Sequence, residues 1–302
     1  FYYKKLRVFI NPFLCLLYGT TKEVPRMNIS IIFEQTQQLP HIPQVVQELM
    51  QSFQDEDIDV DKISEKVAMD QALTAKVLRL ANSAHYGAAR SVSNTSDAIV
   101  LLGFNTLRTL VLASGVTSSF KAPEGFDMNS FWKQSFAIGA LSKWIAKYVP
   151  SAEAETAFTC GMLNSIGSLL IRVVLPEEVS RIDASEDLGG KRHSLERAEL
   201  GFDGAKVGSE LAKRWKFPEE MVEAINDQNN ADFDQEYGTY AGIIYIARYL
   251  HNAHKEDWDE ERIIAEFPTA VAKSIGMDAD KAYQDVASTS DLETGLDALL
   301  DG

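Results

Sequence analysis

Few side chains in this chain are of a type and spacing that could do chemistry. His251 and His254 form the one close pair among five histidines. Three positions apart on a helix, they could share a metal ion, but Asn252, Lys255, Glu256 and Asp257 around them predict a solvated helix end. His41, between Pro40 and Ile42, and His85, beside Tyr86, read as locally hydrogen-bonded groups. Cys160 sits in an apolar run without a basic neighbour, which predicts a buried, inert thiol. Ser165 lacks the Gly-x-Ser-x-Gly elbow of a hydrolase nucleophile and reads as a small residue at a helix contact. Gly189-Gly190-Lys191-Arg192-His193 could hold an anion through backbone N–H groups and charge. A solvated loop is the plainer expectation there.

The elements that must position these residues are helices. Val45, Val46, Leu49, Met50 and Phe53 repeat at helical spacing after the Pro40–Pro43 turn. Asp59 or Asp61 can cap a helix carrying Ile63 and Val67, and Asp70 precedes Leu73, Val77, Leu80 and Ala84 on one face. A cap within Ser93–Ser96 starts the next helix, and Gly103 interrupts before the apolar pattern resumes to about Val116. Residues 121–127, with Lys121-Ala122-Pro123-Glu124-Gly125, are the clearest internal punctuation and predict a linker. Beyond it, Phe136, Ala140, Trp144 and Tyr148 share a face, 152–174 reads as one buried helix, and 183–194 reads as a loop. Trp144 and Trp215 read as core. No alternating strand pattern of useful length competes.

Composition narrows the function. The 302 residues carry a formal net charge of -15, which opposes a polyanionic partner, so no nucleic acid is expected. Hydrophobic residues at 45% and charged residues at 24% suit a globular domain. The two cysteines, Cys15 and Cys160, lie too far apart in context to suggest a disulfide framework, and a reducing cytoplasm fits. Residues 1–26 carry five basic side chains against one acidic, a net +4, leaving -19 for the remainder. Asn11 and Pro12 break that segment's apolar run, which falls short of the ~20 residues that span a bilayer. It is expected to be upstream or non-native sequence, with the native start at Met27 and no membrane association.

Several stretches, taken in order, resemble the HDOD domain, the HD-related output domain of bacterial signalling proteins and a degenerate relative of the HD-superfamily metal-dependent phosphohydrolases. They are Leu39-Pro40-His41-Ile42-Pro43, the run Asp70 to Ala84, the run Ala98 to Arg108, Phe131-Trp132, Gly161-Met162-Leu163 with Ile166-Gly167, and Glu199 to Asp203 with Val207-Gly208. The resemblance implies an all-α fold, an HD-like helical domain (128–302) preceded by an N-terminal helical bundle (39–120), with a lead-in at 27–38. Carried over residue by residue, the HD metal ligands fall on Gln134, Asn164, Ser165, Gly204, the Asn226-Asp227-Gln228-Asn229 stretch and Arg248. Amides, a hydroxyl, a glycine and a guanidinium do not supply the imidazoles and carboxylates that grip a divalent ion. An Arg at the centre repels one.

The expected protein is therefore a non-catalytic cytoplasmic regulatory module without cofactor or metal. It would act on other signalling proteins, with the vestigial pocket at Gln134, Asn164, Ser165, Gly204, Asp227 and Arg248 open to a small ligand or a nucleotide second messenger. The alternative is a metal-dependent phosphohydrolase of the HD superfamily. Arg79, Asn82, Ser83, Asn105 and Arg108 could make inter-helix hydrogen bonds that fix the N-terminal bundle or could line a groove for a partner, the structural role being the favoured expectation.

Overall fold

The structure, a computed structural model, describes residues 27–34, 39–51, 60–83, 92–229, 238–292 and 296. The expectations placed on residues 1–26 with Cys15, on Phe53, Asp59, Ala84 and His85 lie outside the described residues. Helices alone make up its regular structure there. They are α1 (Ser30–Glu34), α2 (Gln44–Gln51), α3 (Val60–Met69), α4 (Gln71–Ala81), α5 (Thr95–Leu102) and α6 (Phe104–Ser119). After the linking segment come α7 (Met128–Ala146), α8 (Ala154–Met162), α9 (Ile166–Val174), α10 (Pro176–Glu186), α11 (Arg192–Leu200) and α12 (Gly204–Arg214). The chain continues as α13 (Glu219–Asp227), α14 (Thr239–Lys255), α15 (Glu260–Ala265), α16 (Thr269–Ser274) and α17 (Ala279–Asp285), then one 3-10 segment, Val286–Asp291.

Local chemistry sets many of the helix starts. Asp70 accepts the Leu73 N–H at 3.0 Å and caps α4, and Asn94 does the same for α5 through Asp97 at 2.8 Å. Asp127 caps α7 and Asp203 caps α12. In the N-terminal bundle α2 to α6 pack on one another, burying Val46, Leu49, Val77, Leu80, Leu107 and Leu110. Asn82 ties α4 to the segment entering α5: its amide donates to Val92 O and accepts the Val92 N–H, at 2.8 and 2.7 Å. Arg108 is buried, with its guanidinium 5.9 Å from the Phe104 ring centroid on its own helix and with Glu153 and Glu155 attracting it through space. Thr109 donates to Glu155 at 2.7 Å across the α6–α8 contact, and Lys143 pairs with the same carboxylate. Asn105 is exposed and makes no such bridge in the described contacts.

The second bundle is built on α7, which packs against α8 and α14, while α12 joins α9 to α13 and α13 packs on α14. Trp132, Phe136 and Trp144 on α7 are buried, as is Trp215 beyond α12. Two expectations change here. Residues 152–174 are not one helix but α8 and α9, broken at Leu163–Ser165. Residues 183–194 are not one loop, since α10 runs to Glu186 and Arg192 already opens α11. Arg192 opens α11 with its charge matched to Asp183 and Glu186 on α10 and to Glu196 on α11, as described below. Among the described residues, Ala154–Val174 taken as one unit, and α5 with α6 as a bent pair, are long and apolar enough to cross a membrane. The former is 78% buried within the fold.

Candidate functional site

A single cleft of about 450 Å³ gathers the interesting side chains at the break between α8 and α9. Gln134 reaches it from α7, Asn164 and Ser165 from the break itself, Arg248 from α14, and Gln228 and Asn229 from the end of α13. Four of the six expected positions therefore converge: Gln134, Asn164, Ser165 and Arg248. Gly204 adds no surface, although its neighbour Ala205 does. Asp227 stands outside the lining, where its Oδ1 accepts from Asn226 Nδ2 at 2.6 Å.

The break exists because polar side chains take over backbone bonds that the helix gives up. Asn164 Nδ2 donates to Gly161 O at 2.7 Å, and Ser165 Oγ donates to Asn164 Oδ1 at 2.7 Å. Gln228 Nε2 donates to the carbonyls of Asn164 and Ile225 at 2.8 and 2.9 Å. These amides and the hydroxyl are committed to holding the turn. Just beyond it, α9 and α12 touch backbone to backbone. A Cβ on Gly167 would lie 1.9 Å from Gly204 O, and one on Gly204 would lie 2.0 Å from Ser168 Oγ. Position 204 accordingly carries no ligand-bearing side chain. Its N–H donates to Glu196 Oε2 at 2.6 Å instead.

Arg172 and Glu196 escaped the sequence reading, and Arg192 entered it only within the Gly189–His193 stretch that could hold an anion. Arg172, on the otherwise apolar α9, forms a two-pronged pair with Asp183 at 2.7 and 2.8 Å and stacks over Phe126 at 4.6 Å. Arg192 donates to Asp183 and Glu186 through Nη1 and to Glu196 through Nε, at 2.8, 2.7 and 3.1 Å. Its Nη2 is buried without a hydrogen-bond partner. Glu196 is 1% exposed and also accepts from Ser168 Oγ at 2.9 Å. A lone charge in an apolar helix (Arg172) and an Arg–Glu pair at i, i+4 (Arg192, Glu196) were the available signals. The expected loop at Gly189–His193 resolves into a turn with Gly189 at φ +93 that delivers Arg192 and His193 to the cleft wall.

The titrating groups follow from these contacts. Burial raises Asp183, but the hydrogen bonds from Arg172 and Arg192 outweigh it and hold that carboxyl below its usual range. Burial pushes Glu196 upward. Burial also lowers His193, and the Arg248 charge adds to it, so the ring is held toward neutrality. Arg248 itself is lowered by burial.

The donor set does not suit the divalent ion of an HD-type centre. Asp203 is taken by Arg197 at 2.7 Å and by the start of α12, and Glu196 by Arg192, Ser168 and Gly204. Among the described residues no three His, Cys, Asp or Glu side chains are grouped to hold an ion. His251 and His254 are half-buried rather than solvated, and His254 Nε2 lies 3.0 Å from Thr289 Oγ1. Cys160 is fully buried, which drives its thiol far above the usual range.

Comparison with known proteins fits this architecture. The sequence matches the HDOD domain over residues 39–231. A solved protein of Shewanella amazonensis SB2B described as a "putative phosphohydrolase" is 32% identical, with 90% of this chain and 97% of that one covered and a TM-score of 0.74. An HDOD domain protein of unknown function from Geobacter sulfurreducens shares the fold at 21% identity, covering 88% and 98% of the two chains with a TM-score of 0.69. An uncharacterized protein of Treponema pallidum is 23% identical over 203 residues, which is 66% of this chain and 39% of that protein's length. The chain thus spans about two fifths of that curated relative.

Proposed function

We propose a function for a chain that, by its match over most of its length, belongs to the HDOD domain family: a regulatory module that does not hydrolyse phosphoesters. It acts in the cytoplasm on other signalling proteins, and its cleft reads a small ligand, a nucleotide second messenger being one candidate. The observation that carries this is Arg248. Its guanidinium lines the cleft beside Asn164 and Ser165, at the positions where the family resemblance places metal ligands. A fixed cation there opposes a divalent ion by like-charge repulsion and supplies neither a Lewis acid nor an activated water. Exposed Val100 on α5 and Met69 at the end of α3, two helices that pack together, support a partner-binding face on the N-terminal bundle.

The second reading, a metal-dependent phosphohydrolase, is favoured by the description of the Shewanella relative at 32% identity. Elemental analysis of protein purified without chelators, together with hydrolysis of bis(p-nitrophenyl) phosphate in Mg²⁺, Mn²⁺, Fe²⁺ or Ni²⁺, separates the two. Trace metal and no metal-dependent turnover is the expected result. Stoichiometric metal with turnover would replace the regulatory reading by the catalytic one.

A further inference from the structure

Pairing off the charged side chains of the cleft leaves two over among the described residues, Arg248 and Asp127, and the Asp127 carboxylate is spent on the first turn of α7, where it accepts from Ser130 N and Oγ at 2.9 and 2.7 Å. Arg172 is matched to Asp183, and Arg192 to Asp183, Glu186 and Glu196. Arg197, nearby, is matched to Asp203. Half-buried Arg248 has a single hydrogen-bond partner among the described residues, the neutral Asn229 Oδ1 at 2.7 Å, and no carboxylate within ion-pair distance. Tyr245, Asp203 and Glu196 attract it only through space, and both carboxylates are already engaged. A guanidinium offers five N–H donors in a planar fork suited to carboxylate or phosphate. A desolvated charge is ordinarily paired, so a cation left without a counter-charge in a concave site marks the place of an anion.

Two independent features point the same way. Arg192 Nη2, on a residue lining the same cleft, is buried with no acceptor. The competing acceptors of the break are used up: Asn164 Oδ1 already takes the Ser165 hydroxyl, and the Asn164 carbonyl takes Gln228. The cleft lining also includes an aromatic pair, Phe126 and Phe131, with ring centroids 5.9 Å apart. A volume of about 450 Å³ lies inside the ~300–1,000 Å³ range of small-molecule sites.

We propose that the cleft binds a small organic anion, a carboxylate or a phosphate monoester on a flat apolar body, with the anionic group on the Arg248 guanidinium and the body against Phe126 and Phe131. This deepens the ligand-reading part of the function proposed above and rests on it. The ligand's charge would complete Arg248's coordination, and Arg192 Nη2 and His193 are further donors on the same wall. The anion is small and enclosed, which the net charge of -15 does not oppose as it opposes an extended polyanion.

Calorimetric titration of the full chain at constant ionic strength, with phenyl phosphate, benzoate and the uncharged benzamide, tests this. One-site binding of phenyl phosphate or benzoate is expected, with benzamide at least about tenfold weaker. Whichever anion binds more tightly names the source of the charge. Arg248→Gln should weaken the anion at least about tenfold and Arg248→Lys by less, with circular dichroism confirming the fold. Should Arg248→Gln not fold, the His193 ring resonances of the unaltered protein serve instead, shifting with phenyl phosphate and not with benzamide. No anion binding, equal affinity for benzamide, or unchanged affinity in folded Arg248→Gln would overturn the proposal. Those outcomes leave the non-catalytic reading standing, because that reading falls only to metal-dependent turnover.

Discussion

The backbone N–H of Gly204 donates to Glu196 Oε2 at 2.6 Å. A buried carboxylate from α11 thereby closes the first turn of α12, which is the turn on which α9 rests through Gly167. The same carboxylate holds Ser168 and Arg192. One side chain thus fixes three helices around the cleft wall.

Removing that carboxylate leaves buried donors without acceptors. Glu196→Ala is expected to lower unfolding stability by about 3–5 kcal/mol, the range for breaking a buried charged pair. Glu196→Gln keeps one acceptor oxygen and should cost less. Urea unfolding of both variants checks the order, and equal losses would show that packing, not hydrogen bonding, explains the effect.

The backbone crossing of α9 and α12 predicts intolerance at Gly167. A methyl group there meets Gly204 O at 1.9 Å and Gly208 N at 2.3 Å, both main-chain atoms that cannot swing aside. Gly167→Ala should destabilise by about 1–3 kcal/mol or more, as overpacking does. Far-UV circular dichroism during denaturant titration reads the loss. An unchanged midpoint would mean that the two helices separate at little cost.

Asp183 links the fold to pH. Its folded carboxyl lies below its ordinary value, so the stability it contributes is present above that value and disappears as pH falls through the folded one. Glu196, raised by burial, has the opposite sign: its contribution is present below its ordinary value and is lost as pH rises through the folded one. Asp183→Asn should therefore flatten the acid limb of a stability–pH curve, and Glu196→Gln should reduce the decline on the rising side. Thermal melts across the acid range test both signs.

Arg248 gives a prediction about cost rather than support. Among the described residues its half-buried charge has no carboxylate at ion-pair distance, so Arg248→Leu is expected to leave the melting temperature unchanged or higher. A fall of several degrees would make Arg248 a structural residue instead. Differential scanning calorimetry of the two proteins decides it.

The all-α class and the order of helices were legible because apolar residues recur at helical spacing and Asp or Asn precedes each of several runs. Asp70, Leu73, Val77 and Leu80 are the plainest case: a cap followed by one buried face. The convergence of Gln134, Asn164, Ser165 and Arg248 was legible as well, through ordered motifs rather than through spacing, since they lie on separate helices.

What stayed hidden depends on how helices meet. Periodicity assigns a residue to a face but does not say which donor reaches which acceptor. Residues 152–174 read as one largely buried helix, yet it breaks where Asn164 turns back on Gly161 O, held by Gln228 at the end of α13, 64 positions away. Likewise Arg192 looks like part of a charged loop until Asp183, Glu186 and Glu196 are placed around it.

By itself, the order of residues determined a helical chain of this family and set amides, a hydroxyl and a guanidinium at positions where the family resemblance implies metal ligands. Only the tertiary structure decided that the Asn164 and Gln228 amides are consumed by the backbone while Arg248, among the described residues, has no carboxylate at ion-pair distance. Residue type sets what a group can bond; the distances created by packing set whether that capacity is already taken.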